Sequence, residues 1–271
     1  VNGDFQEASW EEALAVVAGA FNKIKKEHGA DSLAVLGSAN CTNEENYLLQ
    51  MFARCVLGTN NIDNGSSLYY NATLRAFSES FGFPGITHSL KDLEQAEVIL
   101  LIGASPEASA PLVNYLIKRA VKLRGAKLIV IDPRRTKLTF FADCWLQPKV
   151  GTDLALLNSL AKVIIEENLI DHEFVARKTD KFQLLAEILG NYPLEMGEAV
   201  TGVGVEQIRQ AARLYAAAGK AAIIYGTGIT QQALGVESVK ALINLTLLTG
   251  NIWRKGGGLH ALQRDCNAQG A

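Results

Sequence analysis

The sequence predicts an α/β protein with doubly wound, mostly parallel, Rossmann-like sheets. Three observations carry that expectation. Segments such as "AEVILLIG", "AKLIVID" and "KAAIIYG" are continuously apolar rather than alternating, as strands covered on both faces must be. Amphipathic helical patterns alternate with them, which favours parallel pairing through crossover helices. Each apolar run ends in a Gly- or Asp-bearing turn, where open sheets of this class bind ligands.

Ser9 and Glu12 form an S-x-x-E capping box, after which Leu14, Val17, Phe21 and Ile24 recur at helical spacing until Gly29. "SLAVLGS" (32–38) is bounded by turn formers and reads as a buried strand. Thr42 and Glu45 form a second capping box. Tyr47, Leu48, Met51, Phe52, Cys55 and Val56 then lay down one apolar face, expected to be core. "NNIDNGSSLYYNATL" (60–74) reads as a loop. A strand, a Gly/Ser/Pro loop, a helix over about 108–123 and a second strand ending at Asp132 make a βαβ unit with an expected right-handed crossover. "CWLQPK" reads as a short strand, "GTDLALLNSLAKVIIEEN" and "VGVEQIRQAARLYAAAG" as helices, "KAAIIYGTG" as strand and turn, and "GVESVKALINLTLLTG" as an apolar helix.

The chain has 271 residues, 48% hydrophobic and 20% charged, enough for a large core in one domain or two. Its net charge of −2 gives no general attraction to nucleic acid or to an anionic membrane, and no run reads as a transmembrane segment or signal peptide. A cytoplasmic protein is expected. Cys41, Cys55, Cys144 and Cys266 are scattered without C-x-x-C pairs and read as reduced structural thiols. The opening Val and the closing "CNAQGA" suggest a piece of something longer.

Three loops are candidate ligand sites. Residues 103–111 begin with Gly103, which permits close backbone approach, and precede a helix whose N–H groups and dipole suit a phosphate; since G-x-G-x-x-G is absent, the motif by itself favours a plain tight turn. Asp132, Pro133, Arg134 and Arg135 end a strand, where an acid can accept from ribose or base and Arg can pair phosphate, or the two can form a structural ion pair. Gly226, Thr227 and Gly228, with Thr230 and Gln231, are a third glycine turn. Gly151, Thr152 and Asp153 are similar in kind, or only a helix cap. His28 and His172 read as surface residues at helix ends, and His88 and His260 as loop residues within reach of a ligand. Ser66 and Ser67 have no sequence-local base, and Glu44, Glu45, Glu166 and Glu167 read as solvated helix faces.

In order, "SWEEAL", "CTNEENYLLQMFARCVLGTNNID", "IDPRRT", "GTDLALLNSLAKVIIEENLID", "TGVGVEQIRQAARLYA", "YGTGITQ", "LTLLTGNI" and "NAQGA" resemble the molybdopterin oxidoreductase family, in particular formate dehydrogenase alpha subunits and the large iron–sulfur subunit of respiratory complex I. The resemblance covers essentially the whole chain. It implies a longer polypeptide with an iron–sulfur region upstream and a barrel-like domain downstream, in which molybdopterin guanine dinucleotide serves the full-length protein and none is expected in this fragment. It implies that residues 1–64 are the first half of a split lobe and 65–271 an inserted dinucleotide-binding-like lobe. Carried over by position, Gly103, Ser105, Glu107, Ser109, Asp132, Arg134, Gly151, Asp153, Gly226, Gly228 and Gln231 are the cofactor-binding candidates.

The resemblance also implies a loss. Where formate dehydrogenases carry a Cys or selenocysteine metal ligand followed by His, this chain has Tyr69 and Tyr70, and the Arg that faces the metal falls at Gln263, beside Arg264. A phenol replaces neither a soft thiolate nor an imidazole base well. No catalytic or metal-ligating residue is therefore expected. The preferred expectation is a scaffold portion of a formate dehydrogenase-like or NADH dehydrogenase-like electron-transfer subunit, on the cytoplasmic face of a membrane complex if one is present. Its partners would be the remainder of its own polypeptide and other subunits. Two alternatives stay open: an active enzyme with a non-Cys metal ligand, and a guanine-nucleotide-binding module without catalysis.

Overall fold

The computed structural model describes residues 5–85, 87–263, 265–268 and 270. Arg264, and Gln269 and Ala271 of the closing motif, lie outside the described residues. The chain forms two compact units, Val1–Leu68 with Asp265–Ala271, and Tyr69–Arg264. The expected junction after residue 64 thus differs from the observed one after Leu68, and the closing segment clusters with the first unit rather than the second.

In the first unit, α1 (Trp10–His28) and α2 (Asn43–Met51) both begin at the predicted capping boxes, with Ser9 and Thr42 each accepting from the N–H three residues on. The chain continues from α2 as a π-helical stretch, Phe52–Leu57. β1 (Val35–Gly37) pairs in parallel with β2 (Ile62–Asn64), so part of the expected loop is a strand. The expectation of a buried α2 face fails: Tyr47, Leu48, Met51, Phe52 and Val56 are exposed, Met51 by 42%. Neither α1 nor α2 buries a residue, because a two-stranded sheet offers too little surface to cover both helices.

The second unit is the doubly wound domain. Its elements are α3 (Asn71–Phe81), β3 (Val98–Ile102), α4 (Pro106–Ser109), α5 (Pro111–Arg124), β4 (Lys127–Ile131), β5 (Cys144–Leu146), α6 (Asp153–Glu166), α7 (His172–Lys178), α8 (Phe182–Gly190), α9 (Leu194–Thr201), α10 (Val205–Ala216), β6 (Ala221–Tyr225), α11 (Thr227–Thr230), α12 (Gly235–Leu248) and β7 (Gly258–Ala261). The strands run β5-β4-β3-β6-β7, all parallel, with Ile102 level with Ile131 on one side and Tyr225 on the other.

Strand pleating sorts the core into two layers. Val98, Leu100 and Ile102 pack on one side with Leu157, Ile208 and Leu242 from α6, α10 and α12. Ile99 and Leu101 pack on the other with Val113 and Ile117 from α5. This alternation explains the unbroken apolar strands: both faces are covered.

Candidate functional site

Because every strand of the second unit is parallel, the loops after β3, β4, β5 and β6 leave one edge of the sheet. The strand order reverses between β3 and β6, the place where such sheets open a crevice. Gly103 and Gly226 start the two loops that flank it. Gly103 has a φ of +56°, and its N–H donates to the Ile131 carbonyl at 3.1 Å. Gly226 donates to the Ile102 carbonyl at 3.2 Å and Gly228 to the Gly103 carbonyl at 3.0 Å. A Cβ at Gly226 or Gly228 would stand 2.8 or 2.7 Å from the Gly103 oxygen. These glycines let two loops touch backbone to backbone, so loop packing is one complete reason for their presence.

The helix after Gly103 differs from expectation. It breaks at Ala110 into the single turn α4 and the longer α5, and both open on a proline without an N–H. Ser105 is the N-cap of α4 and makes no side-chain cap, while the Ser109 hydroxyl donates to the Ser105 carbonyl at 3.2 Å. Glu107 reaches across: one carboxylate oxygen accepts from the Lys137 N–H at 3.0 Å, tying the loop after β3 to that after β4. Its Oε2 is buried with no partner.

Asp132 is 2% exposed and lies directly beyond β4. Its Oδ1 accepts from the Arg134 N–H at 2.8 Å and the guanidinium Nε at 3.4 Å, which shapes the turn, while the Arg134 side chain stays largely in solvent. Gly151 has a φ of +85° and open space where a Cβ would be. Asp153, the first residue of α6, is 7% exposed and accepts from Gln232 Nε2 at 2.8 Å. Burial raises its pKa, and the nearby Asp132 charge raises it further. The structure thus brings Asp132 and Asp153 together. Gln231 is exposed at the end of α11, and it is Gln232, which no sequence motif marks, that reaches Asp153. Thr230 is one polar residue of a glycine turn in the sequence, yet its hydroxyl is buried and unpartnered.

This edge therefore holds two buried carboxylates, one within reach of the other's charge, and two orphaned buried oxygens, one from Glu107 and one from Thr230. Orphaned buried polar oxygens are costly unless a ligand partners them. The set fits a group rich in N–H and O–H donors, as a nucleoside is.

The first unit carries its own edge. The closing segment is laced to the loop after β1, with Asn267 N donating to the Ala39 carbonyl at 2.8 Å and its Nδ2 to the Cys41 carbonyl at 2.9 Å. Beside it a cavity of about 390 Å³ is lined by Asn43, Asn46, Gln50, Arg54, Asp63 and Asn64. The loop after β2 is held by its own side chains: Asn64 Oδ1 accepts from Ser66 N at 2.8 Å and Asp63 Oδ2 from the Ser67 hydroxyl at 3.0 Å.

The molybdopterin oxidoreductase family model matches residues 1–271. The chain belongs to the molybdopterin oxidoreductase family. It is 44% identical over 267 residues to the F420-dependent formate dehydrogenase subunit alpha of Methanocaldococcus jannaschii, covering 98% of this chain and 39% of that one. It is 39% identical over 271 residues to formate dehydrogenase H of Escherichia coli, covering 99% of this chain and 38% of that one. Among solved structures it matches acetylene hydratase from Pelobacter acetylenicus with a TM-score of 0.74 at 30% identity, over 91% of this chain and 33% of that one. The chain thus spans about two fifths of the length of these curated relatives.

The family implies a molybdenum–pterin cofactor in the full-length protein. At the position resembling the metal ligand, Tyr69 is 6% exposed and Tyr70 8%, and burial raises the Tyr70 pKa, so that phenol is neutral at ordinary pH. Gln263 follows β7 at intermediate burial. Among the described residues no three His, Cys, Asp or Glu side chains converge as a metal site. His260 is not a loop residue: it lies on β7, and its desolvated ring is pushed down to a pKa of about 4. All four cysteines are free; Cys144 is buried in the core, whereas Cys55 and Cys266 are exposed and so do not serve as packing thiols. No helix among the described residues is long and apolar enough to cross a membrane.

Proposed function

We propose that this chain is the nucleotide-cradling portion of a molybdopterin oxidoreductase alpha subunit of the formate dehydrogenase type, and that it does not itself oxidise formate. The observation that carries the reading is the pair of buried carboxylates, Asp132 and Asp153, together with the orphaned oxygens of Glu107 and Thr230, all on segments that follow the carboxyl ends of the parallel strands. A guanine presents two adjacent donors, N1–H and the exocyclic amine, which match the two oxygens of one carboxylate, and a ribose presents two hydroxyls to the other. Asp153 and Asp132 take those roles. Arg134, with its side chain in solvent, pairs with phosphate, and Gly103, Gly151, Gly226 and Gly228 keep side chains out of the crevice.

The bound group would bring molybdenum or tungsten with its pterin dithiolenes, and through them two-electron transfer. This chain's own contribution at the metal position is different. Tyr69 supplies a buried phenol where a formate dehydrogenase presents a soft anionic ligand, and Tyr70 supplies no base near neutral pH. The role that remains is to hold the nucleotide and support electron transfer in other parts of an alpha subunit. The exposed apolar residues of α1 and α2 suit burial against the rest of that polypeptide.

Three measurements on the full-length protein test this. Calorimetry with GDP gives saturable binding that Asp153→Asn and Asp132→Ala each weaken at least about tenfold, the loss of one charge-assisted hydrogen bond. GDP binding unchanged in both variants sinks the cradle. Formate-dependent dye reduction at rates typical of an enzyme, about 1 s⁻¹ or faster, with stoichiometric metal refutes the loss of chemistry.

A further inference from the structure

The face of the second unit formed by α5 and the turn at Lys137–Phe141 is charged out of proportion to the chain. Residues 111–141 contain eight Lys or Arg and one Asp, a net +7 inside a protein of net −2. Several of these charges are neutralised locally: Arg119 and Arg124 share Glu94, Lys127 pairs with Asp143, and Arg134 with Asp132. Lys118, Lys122, Arg135 and Lys137 pair with no carboxylate among the described residues.

Aromatic rings order three of these four cations instead. Lys118 and Lys122, one helical turn apart, stand 5.6 and 4.6 Å from the Phe141 centroid, and the Arg135 guanidinium stands 4.7 Å from that of Phe140. Phe140 is 68% exposed, and Leu112, Tyr115 and Leu123 on α5 are exposed as well. Like charges at i and i+4 destabilise a helix, so the cluster carries a repulsion that an anionic neighbour would relieve.

We propose that this face docks an acidic protein, a partner polypeptide presenting Asp and Glu side chains around an apolar centre. Charge complementarity sets the sign, and the chemistry sets the class. Aromatic, Arg and Leu side chains mixed on one surface are the composition of protein interfaces. A cation already stands over each phenylalanine ring, so the rings are less available to stack a base or to wedge into a bilayer. Stacking also holds the long cationic side chains in place before contact, which lowers the entropy cost of docking. The inference does not depend on the nucleotide reading.

The experiment acetylates lysines with limiting N-hydroxysuccinimide acetate in the purified full-length subunit, alone and in the complex that copurifies with it, and reads each site by mass spectrometry. Lys118, Lys122 and Lys137 are expected to react at least about tenfold more slowly in the complex, with high salt restoring their rates. Lys178 and Lys181, exposed on the same unit, keep theirs. Carbodiimide joins the protected lysines to carboxylates of the other polypeptide, and Lys118→Glu with Lys122→Glu releases it while leaving the melting temperature within a few degrees. Equal rates in both samples overturn the proposal, as does a subunit that purifies with no companion. So does protection already complete in the isolated subunit, which makes its own chain the occupant, or protection that appears only with phosphatidylserine vesicles.

Discussion

Replacing Gly103 by Ala separates two costs that the site imposes on the backbone. At a φ of +56° an alanine pays for the left-handed conformation, about 1 kcal/mol. Its Cβ would also stand 3.0 Å from the Ile229 N–H nitrogen and Cγ1 and 3.1 Å from the Gly228 carbonyl carbon, an overpacking worth about 1–3 kcal/mol. Two other glycines isolate the parts. Gly125 has a φ of +73° with nothing within 4 Å of its Cβ, so Gly125→Ala carries the conformational cost alone. Gly226 has an ordinary φ of −125°, yet its Cβ would meet the Gly103 oxygen at 2.8 Å, so Gly226→Ala carries the contact cost alone. Scanning calorimetry should place Gly125→Ala about 2–4 °C below the parent and Gly103→Ala about 5–15 °C below it, from about 2–4 °C per kcal/mol in a unit of this size. GDP affinity should fall in the Gly103 and Gly226 variants and not in the Gly125 variant. A Gly103→Ala protein no less stable than Gly125→Ala would refute the view that the two loops are locked by backbone contact.

Other outcomes follow from buried polar groups. Asp153 has its folded pKa raised by burial and by Asp132, so the folded state holds its proton more tightly than the unfolded chain. The resulting penalty is absent below the ordinary carboxylate pKa and full above the raised one. Asp153→Asn should therefore raise the melting temperature at neutral pH, with the gain vanishing under acid, while weakening GDP binding. His260 shows the opposite case: its ring is held at a pKa of about 4 and faces His88, Asp92 and the Gly257 carbonyl. Stability should be level above the ordinary histidine range and fall between there and pH 4 by on the order of 3 kcal/mol. His260→Gln should flatten that limb in urea titrations across pH; an unchanged slope would assign it to other groups. Lys162 is buried, pairs with Glu166 and donates to the Leu189 and Gly190 carbonyls at 3.1 and 3.2 Å at the end of α8. Lys162→Met should cost about 1–3 kcal/mol in chemical denaturation by leaving the Gly190 carbonyl without its donor, while Leu189 keeps the Tyr192 N–H, and a loss under about 0.5 kcal/mol would show that water replaces the ammonium.

Much of the second unit was legible because its signals are local. The runs at Val98–Ile102, Lys127–Ile131 and Ala221–Tyr225 are too apolar to face water on either side, and their ends carry the residues that build the crevice. The three helices between His172 and Thr201 leave no comparable signature in the sequence, since they are short and depend on packing against α6 and α12. Gln232 and Thr230 are equally hard to rank. Gln231 and Gln232 are neighbours just beyond a four-residue helix, and only the fold decides which one meets Asp153.

The first unit went the other way. Its capping boxes fixed where α1 and α2 begin, because a cap is satisfied within four residues, but an apolar stripe states only that a face seeks a partner. Whether Met51 and Tyr47 find one is a matter of what lies across from them, and within this unit little does. Sequence alone settled the three central strands of the second unit, the capped helix starts and the absence of a thiolate at position 69, but not β7, which the sequence reads as loop. Tertiary structure alone brought Asp132 within reach of Asp153's charge and left the oxygens of Glu107 and Thr230 without hydrogen-bond partners, since burial and proximity are properties of chain segments that meet in space rather than along the backbone.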